Sequence, residues 1–198
     1  MVYRRMLTVL VVAALAATGS VLAGSVKTPG SGTPFEVELP ASAGGRSVKL
    51  VLTGCAVRQK LFVNVYSIGS YVALGSGIKT AEQLAAADCL KRLHLVMERT
   101  VDGKDMAEAF RAAIRMNYPE PAFQDEVNKL MQFMRNDSAR KGDHITLTHI
   151  PGIGLYCVWA GKADFLIKNA AFSKAVWDIY FGKNNLGDKI KQGLTSRL

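Results

Sequence analysis

The segment LTGCAVRQKLFVNVYSIGSY, residues 52–71, limits the possible folds more than any other part of the sequence. It is rich in Val, Tyr and other strand-forming residues, and it predicts one long β-strand that runs to about Leu74. Successive side chains of a strand point to opposite faces, so Arg58, Lys60 and Tyr66 would share a face unless a bulge intervenes. The opposite face would consist mainly of Leu and Val.

This alternation supports two interpretations. In the first, the polar face is exposed to water and the Leu and Val face packs on the core. In the second, Arg58 and Tyr66 line a cleft between a sheet and helices, where a guanidinium and a phenol would hold a carboxylate or an enolate-like oxygen. Alternation alone favours the first interpretation.

Several shorter segments also predict strands. A turn at residues 42–45 separates the first two of them, and a Pro-Gly turn joins the last two as a hairpin. The predicted strands are residues 35–40 (ended by Pro40), 47–53, 91–99, 144–150 and 154–160.

Apolar residues at helical spacing predict five helices. Thr80 begins a capping box, Asp102 can cap the second helix, Pro119 and Pro121 break it, and Gly182 ends the fourth. Three of the predicted helices cover residues 80–87, 170–181 and 187–194. The helix after Asp102 has Met106, Phe110, Ala113 and Ile114 on one side. The next helix has Phe123, Val127, Leu130 and Met134 on one side. The element order predicts an α+β fold, an antiparallel sheet with helices gathered on one face.

The first 23 residues have the pattern of a secretory signal peptide. Arg4 and Arg5 precede an apolar run at 6–17, and small residues lead to an expected cleavage after Ala23. We therefore expect a periplasmic or secreted protein. An uncleaved anchor is the alternative, which the short apolar run disfavours.

The remaining chain divides into a linker and one domain. Residues 24–34, GSVKTPGSGTP, are rich in Gly, Ser and Pro and predict a flexible linker. Residues 35–198 are long enough for a single domain with a sizeable core, and 49% of the whole chain is hydrophobic, as in globular proteins. No further stretch is long and apolar enough to span a membrane.

The chain is basic. Its formal charge of +9 falls to +7 when Arg4 and Arg5 leave with the signal peptide. Lys and Arg are scattered along the sequence, so nucleic acid is not an expected partner. Anionic lipids, anionic polymers and carboxylate ligands suit this charge, which could also serve only to keep the surface soluble.

The three cysteines predict no metal or redox site. Cys55, Cys89 and Cys157 form no Cys-x-x-Cys pair. An oxidising compartment permits one disulfide at most, and buried free thiols that act as small hydrophobes are the favoured alternative, so the pairing stays open.

The three histidines give no metal site either. His144 and His149 are five apart on a predicted strand and would face opposite ways, while His94 stands alone. The sequence also lacks a nucleophile elbow, a phosphate-binding loop and a zinc-protease motif, and we expect no cofactor.

Two longer segments match a known pattern. GCAVRQKLFVNVYSIGSYV at 54–72 has a Gly-x-x-x-Arg turn that leads into a strand ending in Gly-x-Tyr, and 164–194 has a long helix followed by a Lys-rich one. With TVDGKDMAEAF between them, they resemble the chalcone isomerase-like family, in particular its secreted bacterial branch, over about residues 35–195. The resemblance implies an open-faced β-sandwich, a large antiparallel sheet with a ligand cleft under its helices.

The resemblance also implies a site that has lost catalytic groups. Arg58 matches the Arg of true chalcone isomerases, and Ser173 keeps a Ser or Thr of their C-terminal helix. Tyr66 replaces a Thr, Met106 replaces a Tyr that holds an ordered water, and Ala113 replaces an Asn. Losing two such hydrogen-bond donors would cost on the order of a thousandfold in rate, so we expect no chalcone isomerase activity.

An Arg and a Tyr on one strand resemble instead the fatty-acid-binding members of the family. There they hold a carboxylate while an apolar tunnel, which Met106 and Ala113 would suit, takes the chain. We therefore predict binding of a small amphipathic carboxylate such as a fatty acid, with Ser173 as a further polar contact and Lys60 at the rim. An isomerase or lyase acting on another substrate and an envelope interaction module are the alternatives. The oligomeric state stays open.

Overall fold

The structure is a computed structural model that describes residues 24–43 and 45–198. Seven strands form one antiparallel sheet in which each strand pairs with the next along the chain, and two short strands form a separate pair. The strands are β1 (Ser25–Lys27) and β2 (Pro34–Glu36), then β3 (Glu38–Ala43), β4 (Arg46–Lys60), β5 (Val63–Ala73), β6 (Lys91–Met97), β7 (His144–Ile150), β8 (Gly154–Trp159) and β9 (Ala163–Ile167). The helices are α1 (Ala81–Ala86), α2 (Gly103–Arg115), α3 (Gln124–Arg135), α4 (Ala170–Phe181) and α5 (Asp188–Leu194).

The helices lie on one face of the large sheet, as the element order predicts. Ile68 of β5 and Leu93 of β6 are fully buried in the same core cluster as Phe110 of α2 and Val176 of α4. The α+β prediction and the prediction of a large antiparallel sheet under helices are confirmed. The main core therefore lies between the sheet and the helices.

The long strand predicted at 52–74 is two strands. β4 turns back into β5 at Leu61 and Phe62, with Lys60 paired to Val63, so the loop has only two residues. Both loop residues have positive φ, 50° and 67°, as a type I′ hairpin turn requires. The sequence did not predict the turn because Leu and Phe are not the residues that such a turn favours.

Residues 24–34 are not a linker, contrary to the prediction. β1 and β2 form a hairpin that packs on the sheet face opposite the helices. Phe35 lies so close over Gly69 of β5 that a Cβ there would be 2.7 Å from its ring, and the hydroxyl oxygens of Ser31 and Ser67 are 2.7 Å apart. The Gly and Pro residues of this segment therefore form turns within the fold.

Two strand boundaries also differ from the predictions. Pro40 does not end a strand, because β3 continues through it to Ala43 at the edge of the sheet. An edge strand tolerates proline because one side of its backbone needs no ladder partner. The strand β9, which pairs with β8, was not predicted at all.

The closing helix α5 is held against a bulge in β4. Thr53 is the extra residue of the bulge, and its hydroxyl donates to the Leu194 carbonyl at 2.8 Å. Gly54 has a φ of 150°, and a Cβ on it would be 2.1 Å from the Gly193 carbonyl oxygen. Only glycine permits this contact between helix and strand.

The signal peptide predicted at 1–23 lies outside the described residues. Within residues 24–43 and 45–198, no helix has the length and apolar character needed to cross a membrane. Cys55, Cys89 and Cys157 are free thiols, and the first and last of them are buried.

Candidate ligand-binding cavity

A cavity of about 690 Å³ lies between the β4–β5 hairpin, the end of β6, and helices α2 and α4. Its buried lining is mainly apolar and aromatic, whereas exposed charged residues stand at its rim. The buried lining residues are Tyr66, Met97, Met106, Phe110, Ala113, Ile179 and Tyr180, and the exposed charged ones are Lys60, Arg99 and Asp105.

Arg58 is the half-buried cation of the cavity. It is the cross-strand partner of Tyr66, which places both side chains on the helix-covered face. Its Nη1 donates to the Leu186 carbonyl at 3.4 Å, and among the described residues it forms no ion pair with a carboxylate. Glu108, which also lines the cavity, forms its ion pairs with Arg111 and Arg135 and not with Arg58. The guanidinium therefore keeps hydrogen-bonding capacity for a ligand.

Tyr66 and Tyr180 form a buried pair beside Arg58. Their hydroxyl oxygens are 3.1 Å apart. Burial raises the pKa of Tyr66, and the hydrogen bond to Tyr180 and the charge of Arg58 oppose this only in part. Burial and the neighbouring Tyr66 raise the pKa of Tyr180 well above its usual value. Both phenols are therefore neutral at pH 7, and because one hydroxyl donates to the other, one hydrogen remains for a ligand.

Met106 and Ala113 form part of the apolar wall on α2. They are seven residues apart, two turns of the helix, so they share its buried face with Phe110 between them. Asp102 starts this helix by accepting a hydrogen bond from the Lys104 amide at 2.8 Å. This cap sets the residue at which α2 begins.

Lys60 lies at the rim, where the sequence predicted it, but Ser173 lies outside the cavity. Ser173 is in the first turns of α4, whereas Tyr180 of the cavity is seven residues further, about 10 Å along the axis. The Ser173 hydroxyl is 2.8 Å from Nδ1 of His149, whose Nε2 is 2.8 Å from an Asp88 carboxylate oxygen. Ser173 is fully buried, so this Ser-His-Asp chain has no access for a substrate.

Two residues of the cavity, Tyr180 and Arg99, were not among the predicted site residues. Tyr180 had a usable signal, because it is two helical turns from Ser173 on a helix that the resemblance already included. Arg99 follows the end of β6, and its exposure at the rim could not be inferred from alternation. His94 does not stand alone, because its Nε2 is 2.8 Å from Nδ1 of His144 on the neighbouring strand. No group of three metal-ligating side chains occurs in the described part of the chain.

This architecture of one antiparallel sheet, helices on one face and a cavity between them agrees with the resemblance found in the sequence. The sequence model of the chalcone isomerase-like family matches residues 33–195, so the chain belongs to that family. Among solved structures, a fatty-acid binding protein of Arabidopsis thaliana superposes with a TM-score of 0.67 at 16% identity, covering 86% of this chain and 95% of its own. That likeness establishes the fold. No protein of curated function matches the sequence.

Proposed function

We propose that this protein binds a small amphipathic carboxylate, such as a fatty acid, in the cavity and does not catalyse a reaction. The observation that carries the proposal is Arg58, a half-buried cation on the cavity wall without a carboxylate partner in the described chain. A partly desolvated cation is costly unless an anion neutralises it. A ligand carboxylate would supply that anion.

The polar end of the cavity suits a carboxylate. Arg58 can donate two parallel hydrogen bonds to its oxygens, and the free hydrogen of the Tyr66–Tyr180 pair can donate a third. Lys60 at the rim adds a second positive charge. We therefore expect the carboxylate to bind at the hairpin side of the cavity.

The rest of the cavity suits an apolar chain. Met97, Met106 and Phe110 are buried along its wall, and methionine side chains adapt to irregular apolar ligands. The volume of about 690 Å³ falls within the usual range for small-molecule sites. The Arabidopsis protein of the same fold is itself named for fatty-acid binding.

Isomerase or lyase chemistry is the second candidate, because the Arg58 guanidinium and the one free hydrogen of the Tyr66–Tyr180 pair line the same cavity, where an enolate oxygen could bind. Two features argue against it. Met106 and Ala113 border the cavity without a hydroxyl or amide to hold a water or substrate. The raised pKa values of Tyr66 and Tyr180 keep both phenols protonated, so neither supplies a phenolate as general base. Turnover of chalcones and related enones above background would favour this candidate over pure binding.

The interaction-module alternative expects side chains to fill the space beside Arg58, and the cavity argues against that version. For location, the pattern at residues 1–23 supports export to a periplasmic or extracellular site. N-terminal sequencing of protein recovered from the exported fraction should then begin at Gly24.

Native mass spectrometry tests the binding proposal. Wild type, Arg58→Gln and Arg46→Gln would be expressed from the full-length sequence and purified as the cell processes them. Arg46 begins the same strand, is exposed and does not line the cavity, so its variant removes the same charge elsewhere. We expect an acyl-chain mass, or uptake of added fatty acid, in wild type and Arg46→Gln.

In Arg58→Gln we expect affinity to fall roughly tenfold to a hundredfold, the worth of a hydrogen bond to a charged group. Ligand-free protein in all three samples after incubation with mixed fatty acids would reject the proposal. Equal occupancy in wild type and Arg58→Gln would reject the anchor role of Arg58.

A further inference from the structure

The two most exposed large apolar side chains of the described chain, Leu61 and Phe62, are consecutive and lie at the β4–β5 turn, where Val63 follows them. Leu61 is 83% exposed, Phe62 99% and Val63 48%. We name residues 61–63 the apolar tip. A phenylalanine this exposed adds nothing to the core, so folding does not explain why it is there.

The backbone conformation of the apolar tip also disfavours the residues found there. Leu61 and Phe62 both adopt left-handed conformations, with φ of 50° and 67°. At such positions Asn and Gly form the turn with less strain than Leu and Phe. The chain therefore carries two apolar residues that are disfavoured both by water and by the turn.

Positive charge surrounds the base of the apolar tip. Lys60 precedes it and is exposed, and the half-buried Arg58 lies two residues before Lys60 on β4. Arg99 is a third cation of the same rim. The acids of the rim are Asp105, exposed in the first turn of α2, and Glu108, which is already paired with Arg111 and Arg135.

The apolar tip and the cavity are adjacent. Lys60 lines the cavity and pairs directly with Val63 of the tip. Whatever covers Leu61 and Phe62 therefore also lies at the cavity rim.

We propose that the apolar tip inserts into a bilayer that contains anionic lipids, with the exposed Lys60 and Arg99 at the level of the headgroups. Large apolar side chains beside Lys and Arg are the combination that binds such an interface. Three residues are too few for a stable protein interface, which buries about 800 Å² on each partner. The docked orientation places the cavity rim against the membrane, and a carboxylate ligand can pass between bilayer and cavity. This exchange step rests on the function proposed above, whereas docking does not.

Vesicle co-sedimentation of the purified, naturally processed protein tests docking without added fatty acid. The vesicles are phosphatidylcholine alone or a mixture with phosphatidylglycerol. The variant Leu61→Asn/Phe62→Gly removes the apolar side chains and installs the residues that a type I′ turn prefers, so its melting temperature should not fall. Leu74→Asn is the matched control, because Leu74 is 61% exposed and follows the opposite end of β5.

We expect wild type and Leu74→Asn to bind the anionic vesicles and the double variant to bind at least tenfold more weakly. Binding should weaken with salt and on pure phosphatidylcholine. Equal binding by wild type and the double variant, or no binding by wild type, would overturn the proposal. A self-associated wild type that the double variant converts to monomer, without vesicle binding, would also overturn it in favour of a second copy.

A local readout comes from Phe62→Trp and Leu74→Trp. Anionic vesicles should shift the fluorescence emission of the introduced tryptophan to the blue in Phe62→Trp and leave it unchanged in Leu74→Trp. The opposite pattern would overturn docking through the tip. Failure of fatty acid uptake from solution would reject the proposed function alone, because co-sedimentation and emission are measured without it.

Discussion

At the scale of single residues, His94 is a histidine for which the fold disfavours the charged form. It lies on the sheet face opposite the cavity, with the Phe35 ring edge-on at a centroid distance of 5.5 Å. Burial, then the neighbouring His144 and Arg92, lower its pKa from 6.5 to about 4. The folded state therefore takes up the His94 proton at lower pH than the unfolded state does.

This shift predicts loss of stability in mild acid. Between pH 6.5 and about 4 the unfolded chain binds more protons at His94, so the free energy of unfolding falls as pH falls through this window. From pH 7 to pH 5 the loss from His94 should be about 2 kcal/mol. Urea unfolding of wild type and His94→Gln at both pH values measures it.

The quantity compared is the change in the free energy of unfolding between pH 7 and pH 5. Any destabilisation by the substitution that does not depend on pH therefore cancels. His149, whose pKa is also lowered by burial, remains in both proteins and keeps part of the acid sensitivity. An equal loss between pH 7 and pH 5 in wild type and His94→Gln would show that His94 is not the group responsible.

Arg58 and Tyr66 show which part of the site a sequence can reveal. Alternation and family resemblance placed both on one face of a strand. In a single strand they would be about 26 Å apart, too far to share a ligand carboxylate. The hairpin instead makes them cross-strand partners, whose Cβ atoms are typically about 5 Å apart. The turn was not predictable from Leu61 and Phe62, which lack turn chemistry.

At the scale of elements, the parts predicted well are those with strong local signals. Asp102 and Thr80 accept the capping hydrogen bonds expected of them, and α4 occupies residues 170–181 as predicted. The parts that failed depend on tertiary contacts. The hairpin of β1 and β2 is anchored on the sheet where Phe35 packs over Gly69, and no local pattern in a Gly- and Pro-rich segment contains that information.

The junction between α5 and β4 gives a prediction for one glycine. In Gly54→Ala the new methyl group would be 2.1 Å from the Gly193 carbonyl, on a backbone whose φ of 150° already disfavours a side chain. Helix and strand must move apart, and the hydrogen bond from Thr53 to Leu194 is lost with them. We expect a loss of about 3 kcal/mol or more, measured by chemical denaturation.

Gly75→Ala is the control for this prediction. Gly75 also has a positive φ, 81°, but an added Cβ would have no atom within 4 Å. Only backbone strain of about 1 kcal/mol is expected there. If both variants lost the same stability, the close approach of α5 would not be what requires Gly54.

At the scale of the whole molecule, the sheet separates two hydrophobic clusters. The larger lies under the helices, and the smaller, with Phe35, Leu50 and Tyr71, lies beneath the β1–β2 hairpin. Protein interiors are normally filled to crystal-like density, so a cavity of about 690 Å³ beside the larger cluster removes packing contacts. A ligand that fills it restores those contacts only in the folded state.

Ligand binding should therefore stabilise the whole fold. At a free concentration one hundred times the dissociation constant, a fatty acid kept below its micelle threshold should add about 2.7 kcal/mol to the free energy of unfolding. For a chain of this size that corresponds to roughly 5–10 °C in melting temperature, measured by differential scanning calorimetry. The same fatty acid concentration should raise the melting temperature of Arg46→Gln by the same amount as that of wild type. If Arg58→Gln binds about thirtyfold more weakly, its gain should be only roughly 2–3 °C. An equal rise in wild type and Arg58→Gln would mean that the apolar wall alone holds the ligand and that the carboxylate is bound elsewhere.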